Sequence, residues 1–499
     1  MSLLLPGNAL PKSRVHGGPL DANARQLLSA SSAWMDQYWD EARGLLWSPG
    51  DVADPLHPQL GLDHMVRESA WYALGLFMRN APGDVERAVR ALGAILTDQF
   101  DEPGQTYHGT FRRAPEEPHP PESPVEWKDY DPNWREFIIT TMAILLIEHE
   151  RQLPPALADK IDLAIRRAVE GTLQRELKAT YTNIALMNAF MLCFAGQRLN
   201  EPAWTERGEA MAQEIHGLFR RHDAFEEFNS PTYYGPDLYA LAAWRVYGNS
   251  LLRQLGAEIE AALWTDIARF YHAGLRNLCG PFDRSYGMDM RRYVALLGER
   301  IWLITGMDQA PFPSLDRPFA HSADFCFGPC VAILGAQAPG GAPSHLFAFQ
   351  GERQVECVIS DSPRRVATAW LAPDIMIGAQ DTSGARQGSL QFHPGAVYWK
   401  IGIDEVGWIR LCNTGPVDAR AGANRLDISG ASEFYFQISA PGLDADLIQA
   451  NHWQLPGLEV QVENNASDTH IERRPDRVEI YYRAGDSQPI SCALVTHLA

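Results

Sequence analysis

The apolar period of this chain changes once along its length, and that change governs what it can fold into. Up to about residue 306, apolar side chains recur at i, i+3, i+4 and i+7 in run after run: 24–39, 64–80, 85–100, 135–150, 162–177 and 185–199. Further helices are expected at 201–220, 236–248, 257–279 and 288–306. Pro, Gly and Asn fall between many of these runs, as they do between antiparallel helix pairs. After Pro311-Phe312-Pro313 the pattern becomes short, β-branched or aromatic, and often alternating, in runs 344–350, 354–360, 365–372, 396–403, 406–412, 433–439, 458–463, 477–484 and 491–498. A period of 3.6 presents one face of a helix and a period of 2 presents one face of a strand. The reading is therefore α then β: a helical toroid or solenoid over 1–315 and an antiparallel β-sheet domain over 316–499. No fixed repeat of the tetratricopeptide, HEAT or ankyrin kind runs through the helices.

A length of 499 residues exceeds what one core usually serves, which agrees with two domains. The net charge of −19 argues against nucleic acid as a partner, because binding it needs a basic footprint. Seven scattered cysteines do not form a disulfide framework. The first 18 residues lack the apolar stretch of a secretory leader. No apolar run approaches the roughly 20 residues that cross a bilayer. A soluble cytoplasmic protein without a membrane partner is expected; the sequence does not speak to oligomeric state.

Familiar catalytic motifs are missing: there is no HExxH, GxSxG, Walker loop, paired CxxC, or GxGxxG after a strand. His321, Cys326 and Cys330 offer a weak metal set that core packing explains better, so no cofactor is expected. Four polar-aromatic clusters remain, each near an expected helix start: DHMVRES at 63–69, YDPNWRE at 130–136, YTNIALMN at 181–188 and FDRSYGMDMRRY at 282–293. Beside the third lies the most pointed segment, DAFEEFNSPTYYGPDLY at 223–239. Ser230-Pro231 and Gly235-Pro236 break it twice, and Pro236 suits the first turn of the next helix. Helix capping accounts for some of these groups, as at Asp63 and Asp131. Four such clusters in corresponding places point to one shared cleft.

In this order the clusters resemble the chondroitin AC/alginate lyase superfamily of polysaccharide lyases, which includes hyaluronate lyases and heparinase II/III-like enzymes. Asn133-Trp134 is similar to the family's aromatic patch, Asn183 to its carboxylate-neutralising amide, the 223–239 run to the loop before its catalytic tyrosine, and GMDMRR at 287–292 to its arginine segment. The resemblance implies an incomplete (α/α) toroid followed by a β-sandwich. It also implies β-elimination on uronic-acid-containing glycans, with an acidic oligosaccharide or polysaccharide as substrate. The chain departs from the family's pattern at Asn229, where many relatives have a histidine; the nearest here is His222.

The chemistry needs such groups. The C5 proton of a uronate is very weakly acidic unless donors stabilise the enolate-like carboxylate, as an oxyanion hole does. Asn183, Asn229 and Arg291 or Arg292 are the expected donors. A tyrosine can take the proton as phenolate and return one to the leaving oxygen. Tyr239, in the first turn after Pro236, is the first expectation and Tyr234 the second. Trp134 offers a face to a sugar ring and Arg135 a charge, with His64, Arg67, Asn133, Tyr233, Arg284 and Arg291 as further binding groups. Two other readings stay open: a hydrolase using two of Glu226, Glu227, Asp237, Asp131 and Glu136, or a non-catalytic glycan-binding protein.

Overall fold

The computed structural model describes residues 20–49, 63–386, 391–413, 415–485 and 489–498; the N-terminal run read above for a leader lies outside them. Ten helices build the first part: α1 (Ala22–Met35), α2 (Val66–Arg79), α3 (Asp84–Thr97), α4 (Trp134–His149), α5 (Pro155–Arg175), α6 (Thr182–Arg198), α7 (Pro202–Phe219), α8 (Tyr234–Tyr247), α9 (Ser250–Phe270) and α10 (Leu296–Thr305). Helices α1, α2, α4, α6, α8 and α10 touch in turn, and α10 meets α1, so they close an inner ring. Helices α3, α5, α7 and α9 back α2, α4, α6 and α8 from outside. Since α1 has no such backing helix among the described residues, and α10 has only the six-residue α12 (Ala342–Phe347) in that role, the (α/α) toroid is incomplete in its outer layer.

Sequence dictates which helices go inside. In α4 and α6 nearly every residue is buried, which requires a helix apolar all round. In α3 and α5 buried and exposed positions alternate at helical spacing. Close approach of α8 to α10 depends on Gly235, where a Cβ would lie 2.2 Å from that of Leu296.

Four expectations require correction here. Helices continue past 315: a 3-10 turn (Ser322–Phe327) leads into α11 (Gly328–Leu334), which packs within the ring against α1, α2, α8 and α10, and α12 (Ala342–Phe347) lies on α9. The run 344–350, read as a strand, begins inside α12; Pro343 starts that helix, and Ala342 and Leu346 bury one face. The change from helix to strand thus falls between Phe347 and Arg353. The helix expected at 257–279 ends at Phe270, and the one at 288–306 begins at Leu296. Between them runs a loop studded with Gly and Pro, holding the short pair β4 (Tyr271–His272) and β5 (Asn277–Leu278). Earlier in the chain β1 (Trp39–Asp40), β2 (Leu45–Trp47) and β3 (His64–Met65) form a small sheet ahead of α2.

The second part is a β-sandwich. β6 (Arg353–Asp361), β7 (Arg364–Ala372), β8 (Ile375–Asp381), β9 (Gly395–Lys400), β10 (Val406–Asn413), β13 (Glu433–Ser439), β17 (Val478–Arg483) and β16 (Asp468–Arg473) form one antiparallel sheet in that order. β11 (Val417–Gly422), β12 (Arg425–Gly430), β18 (Ile490–Leu498), β15 (Leu458–Asn464) and β14 (His452–Leu455) form the other. Period-2 alternation sorts β7 into two cores. Ala367, Ala369 and Leu371 join the core of the helical part, whereas Trp370 and Ala372 face the second sheet. The larger sheet is therefore the middle layer, and its strands carry apolar residues on both faces.

Candidate active site

The N-terminal ends of α2, α4, α6 and α8 meet at one end of the toroid, and their first residues touch. Arg67 at the start of α2 lays its guanidinium 5.1 Å from the Trp134 ring at the start of α4. Asn133, just ahead of α4, donates from Nδ2 to the Tyr181 hydroxyl just ahead of α6 (2.8 Å) and accepts on Oδ1 from Arg175 Nη1 (2.9 Å). Arg175 ends α5 and also pairs with Glu126 at 3.4 Å.

On α6, Thr182 Oγ1 and Asn183 Nδ2 each donate to Glu227 Oε2 at 3.3 Å. Arg284 Nη1 holds the other oxygen of Glu227 at 2.9 Å, while Nη2 donates to the Tyr233 hydroxyl. The same guanidinium sits 4.4 Å over the Tyr233 ring, and Tyr286 packs 5.9 Å from Tyr233. Arg67, Arg175, Arg284, Asn133, Asn183, Tyr181, Tyr233, Tyr286, Glu126 and Glu227 thus gather where helix N-termini meet, and the helix dipoles there favour negative charge.

Burial sets the resting protonation of these groups. It raises the phenols of Tyr233 and Tyr181 above the ordinary range, with Arg284 opposing at Tyr233 and the Asn133 hydrogen bond opposing at Tyr181. Burial also raises the Glu227 carboxyl, and Arg284 pulls against it.

The β-sandwich braces this end. Asp283, next to Arg284, is fully buried and paired with Arg365 of β7 and with Arg386. Its Oδ2 accepts from the Phe228 backbone N–H at 3.0 Å, which ties the 223–233 loop to the same anchor. Gln391 adds a bond from Nε2 to the Tyr286 hydroxyl at 2.7 Å.

Asn133, Asn183, Tyr233 and Arg284 therefore lie together at one end of the toroid, with Arg67 and Trp134 on the flank. Other expected residues do not join this group. Tyr239 is 0 % exposed, because it sits past the first turn of α8 and points into the ring, where its hydroxyl donates to Thr140 Oγ1 (3.0 Å). Tyr234 is buried too, and its hydroxyl accepts from the Asn229 backbone N–H at 2.7 Å. Asn229 uses its amide to donate to the carbonyls of Cys279 (2.5 Å) and Pro281 (2.7 Å), so it pins two loops together.

Arg135 is buried against α5 and donates to the His108 carbonyl at 2.7 Å. His64 lies between Asp40 (3.1 Å) and Glu116 (2.8 Å) with Trp47 stacked on it. Arg291 binds Asp404 (3.0 Å), and Arg292 points outward with Asp289 at 3.8 Å. Neither arginine of the 287–292 segment reaches the Glu227–Tyr233 group; Arg284, upstream of that segment, does. Trp134 is only 8 % exposed, since Arg67 covers its face.

Tyr181, Arg175, Glu126 and Tyr286 join the site without having been singled out, and Glu227 is more central than its rank as a hydrolase candidate suggested. Tyr181 and Tyr286 stand inside two of the four clusters, two residues from Asn183 and from Arg284 respectively, so they carried a signal. Arg175, at the far end of an outer helix, carried none. No group of three or more His, Cys, Asp or Glu side chains suited to a metal ion occurs among the described residues. His321 pairs with Asp324 (2.8 Å), and Cys326 and Cys330 are buried in the ring interior. No helix among the described residues is long and apolar enough to cross a membrane.

The chain belongs to the family described as "Domain of unknown function (DUF8769)", whose model matches residues 25–336. A second model, "Domain of unknown function (DUF8770)", matches 352–480, so the two matches divide where helix gives way to strand. No curated protein matches the chain. Among solved structures it is similar to a heparan sulfate lyase from Pedobacter heparinus, with 9% identity over 97% of this chain and 84% of that one, TM-score 0.36. It is also similar to a chondroitinase AC lyase (9% identity, 96% and 81%, TM-score 0.40) and to a glycoside hydrolase (8% identity, 86% and 89%, TM-score 0.30).

Proposed function

We propose that this protein cleaves uronic-acid-containing glycans by β-elimination, with Tyr233 as the proton-transferring group and Asn183 and Arg284 as the donors that stabilise the substrate carboxylate. The observation that carries the reading is the arrangement around Glu227. Thr182, Asn183 and Arg284 already grip a carboxylate from two sides, and that carboxylate is the protein's own. The donor set is one a uronate would use, and donors of this kind are what an enolate-like state requires.

Tyr233 shares Arg284 with that carboxylate site. The guanidinium favours the phenolate against burial, and a phenolate there takes the C5 proton. The neutral phenol then returns a proton to the leaving oxygen at C4. Asn133 and Arg175 fix Tyr181 on the other flank, where its ring gives a sugar an edge to rest on.

A hydrolytic reading draws on one observation: Glu227 is a buried carboxyl raised above its usual range, as a general acid must be. Product analysis separates the two. Incubation with glucuronan, alginate, hyaluronan and ulvan-type oligomers is expected to yield a 4,5-unsaturated sugar absorbing in the near ultraviolet. Saturated products alone would assign the hydrolase.

A further inference from the structure

Trp127 lies in the turn enclosed by the bridge between Glu126 and Tyr130, ahead of α4, and its conformation is costly. Its backbone φ is +62°, the left-handed region that bulky side chains rarely adopt, at an expense of order 1–3 kcal/mol. The loop around it is built to hold that shape. Arg113, buried and paired with Glu117, donates to the carbonyls of Trp127 (3.3 Å) and Lys128 (2.9 Å). The Trp127 N–H donates to the Tyr130 carbonyl at 2.8 Å. Asp129 closes the turn by accepting from the Val125 N–H at 2.8 Å.

Strain of this kind usually buries or aims something. Here the indole is 55 % exposed, with Val125 beside it 53 % exposed. A glycine would satisfy the backbone without strain, so the indole itself is what the loop presents. Its position is also specific. Glu126, the preceding residue, pairs with Arg175, which holds Asn133, which holds Tyr181. An unbroken run of side chains therefore leads from Trp127 into the cleft, while Trp134, the aromatic residue nearer the helix start, is covered by Arg67.

We infer that Trp127 is an outer stacking platform for a sugar ring of the glycan chain whose uronate occupies the Asn183–Arg284 donors, so that the protein recognises oligosaccharides longer than a disaccharide. The inference rests on the proposed function for the identity of the chain. A flat indole offers its face to a pyranose.

The test uses the full chain carrying Tyr233→Phe, to stop turnover, with and without Trp127→Gly. Calorimetric titration with acidic and neutral oligosaccharides of two to eight units provides affinities, and thermal melting provides stability. The expected result is roughly tenfold weaker binding of the long acidic chains in Trp127→Gly, unchanged binding of disaccharides, and a melting temperature equal to or above the parent's. Equal affinity at every length in both proteins overturns the platform. So does a uniform loss at all lengths with a lowered melting temperature, which marks a structural role. Trp127-dependent binding of long neutral chains alone keeps the platform and overturns the uronate reading. No binding of any chain by the parent overturns both.

Discussion

Arg284 holds Tyr233 twice: Nη2 donates to the phenolic oxygen, and the guanidinium carbon lies 4.4 Å from the centre of the same ring. Through Nη1 it also holds Glu227, so one side chain couples the phenol to the carboxylate that Thr182 and Asn183 also hold. The phenol still lies above the ordinary tyrosine range, because burial outweighs the cation.

That balance predicts the pH dependence of the reaction. The value of kcat/KM reports ionisation in the free enzyme. With a base whose pKa exceeds the ordinary value of about 10, log kcat/KM should climb with a slope near one from neutral pH to about pH 10. A profile that levels off below about pH 8 would transfer the base role to a carboxyl such as Glu227.

The other two tyrosines should behave as structural groups. Tyr239→Phe removes a buried hydrogen bond to Thr140, and Tyr234→Phe leaves the buried Asn229 N–H without its acceptor. Each should cost about 1–3 kcal/mol of stability and leave kcat within a few-fold of the parent. Denaturant melts and steady-state rates on the same preparations check this; a dead but fully stable variant of either contradicts it.

Glu227→Gln distinguishes the two chemistries. Under elimination it removes a charge that competes with the substrate carboxylate for Asn183 and Arg284, so KM should fall while kcat stays within about tenfold, well short of the loss expected from a proton-transfer group. Under hydrolysis the same change removes the acid and turnover disappears. Rates measured with one active substrate for the variant and the parent decide it.

Stability should depend on Asp266, a buried carboxyl on α9 pushed up to about 7 by burial. A raised carboxyl means the folded state prefers the proton. Its contribution is therefore complete below the unfolded value of 3.8 and is lost as pH rises through about 7. The melting temperature should decline across that window, and Asp266→Asn should flatten the decline. The variant should be stabilised by a few kcal/mol at pH 8 and not at pH 4. Parallel curves for both proteins would place the pH dependence elsewhere.

Periodicity made the architecture legible, and the polar residues at helix starts made part of the site legible. Asn133, Asn183 and Tyr233 sit at helix entrances, where side chains project from the end of a ring, whereas Arg284 comes from the loop ahead of α10. Tyr239 was misplaced by one turn of register: five residues beyond Tyr234, it has already rotated into the core. Arg135 was misplaced by a single position, since the neighbour of a cleft-facing residue on a helix points about 100° away. Arg284 was obscured by the denser arginine pair at 291–292, which the structure assigns to Asp404 and the surface. Arg175 reaches the cleft from the last turn of an outer helix, a relationship created by tertiary packing alone. The late domain boundary has a similar origin: α11 is apolar on every side because it fills the ring, and the short α12 hides its period in six residues.

The most direct test of the account is the rate of near-ultraviolet absorbance gain on a uronic acid oligosaccharide, measured for the parent and for Tyr233→Phe. The variant loses one hydroxyl and keeps the ring over which Arg284 lies. The account predicts product formation by the parent and a fall of about 10²–10⁴-fold in kcat for the variant, with oligosaccharide binding retained. Unsaturated product released at the parental rate by Tyr233→Phe would contradict it.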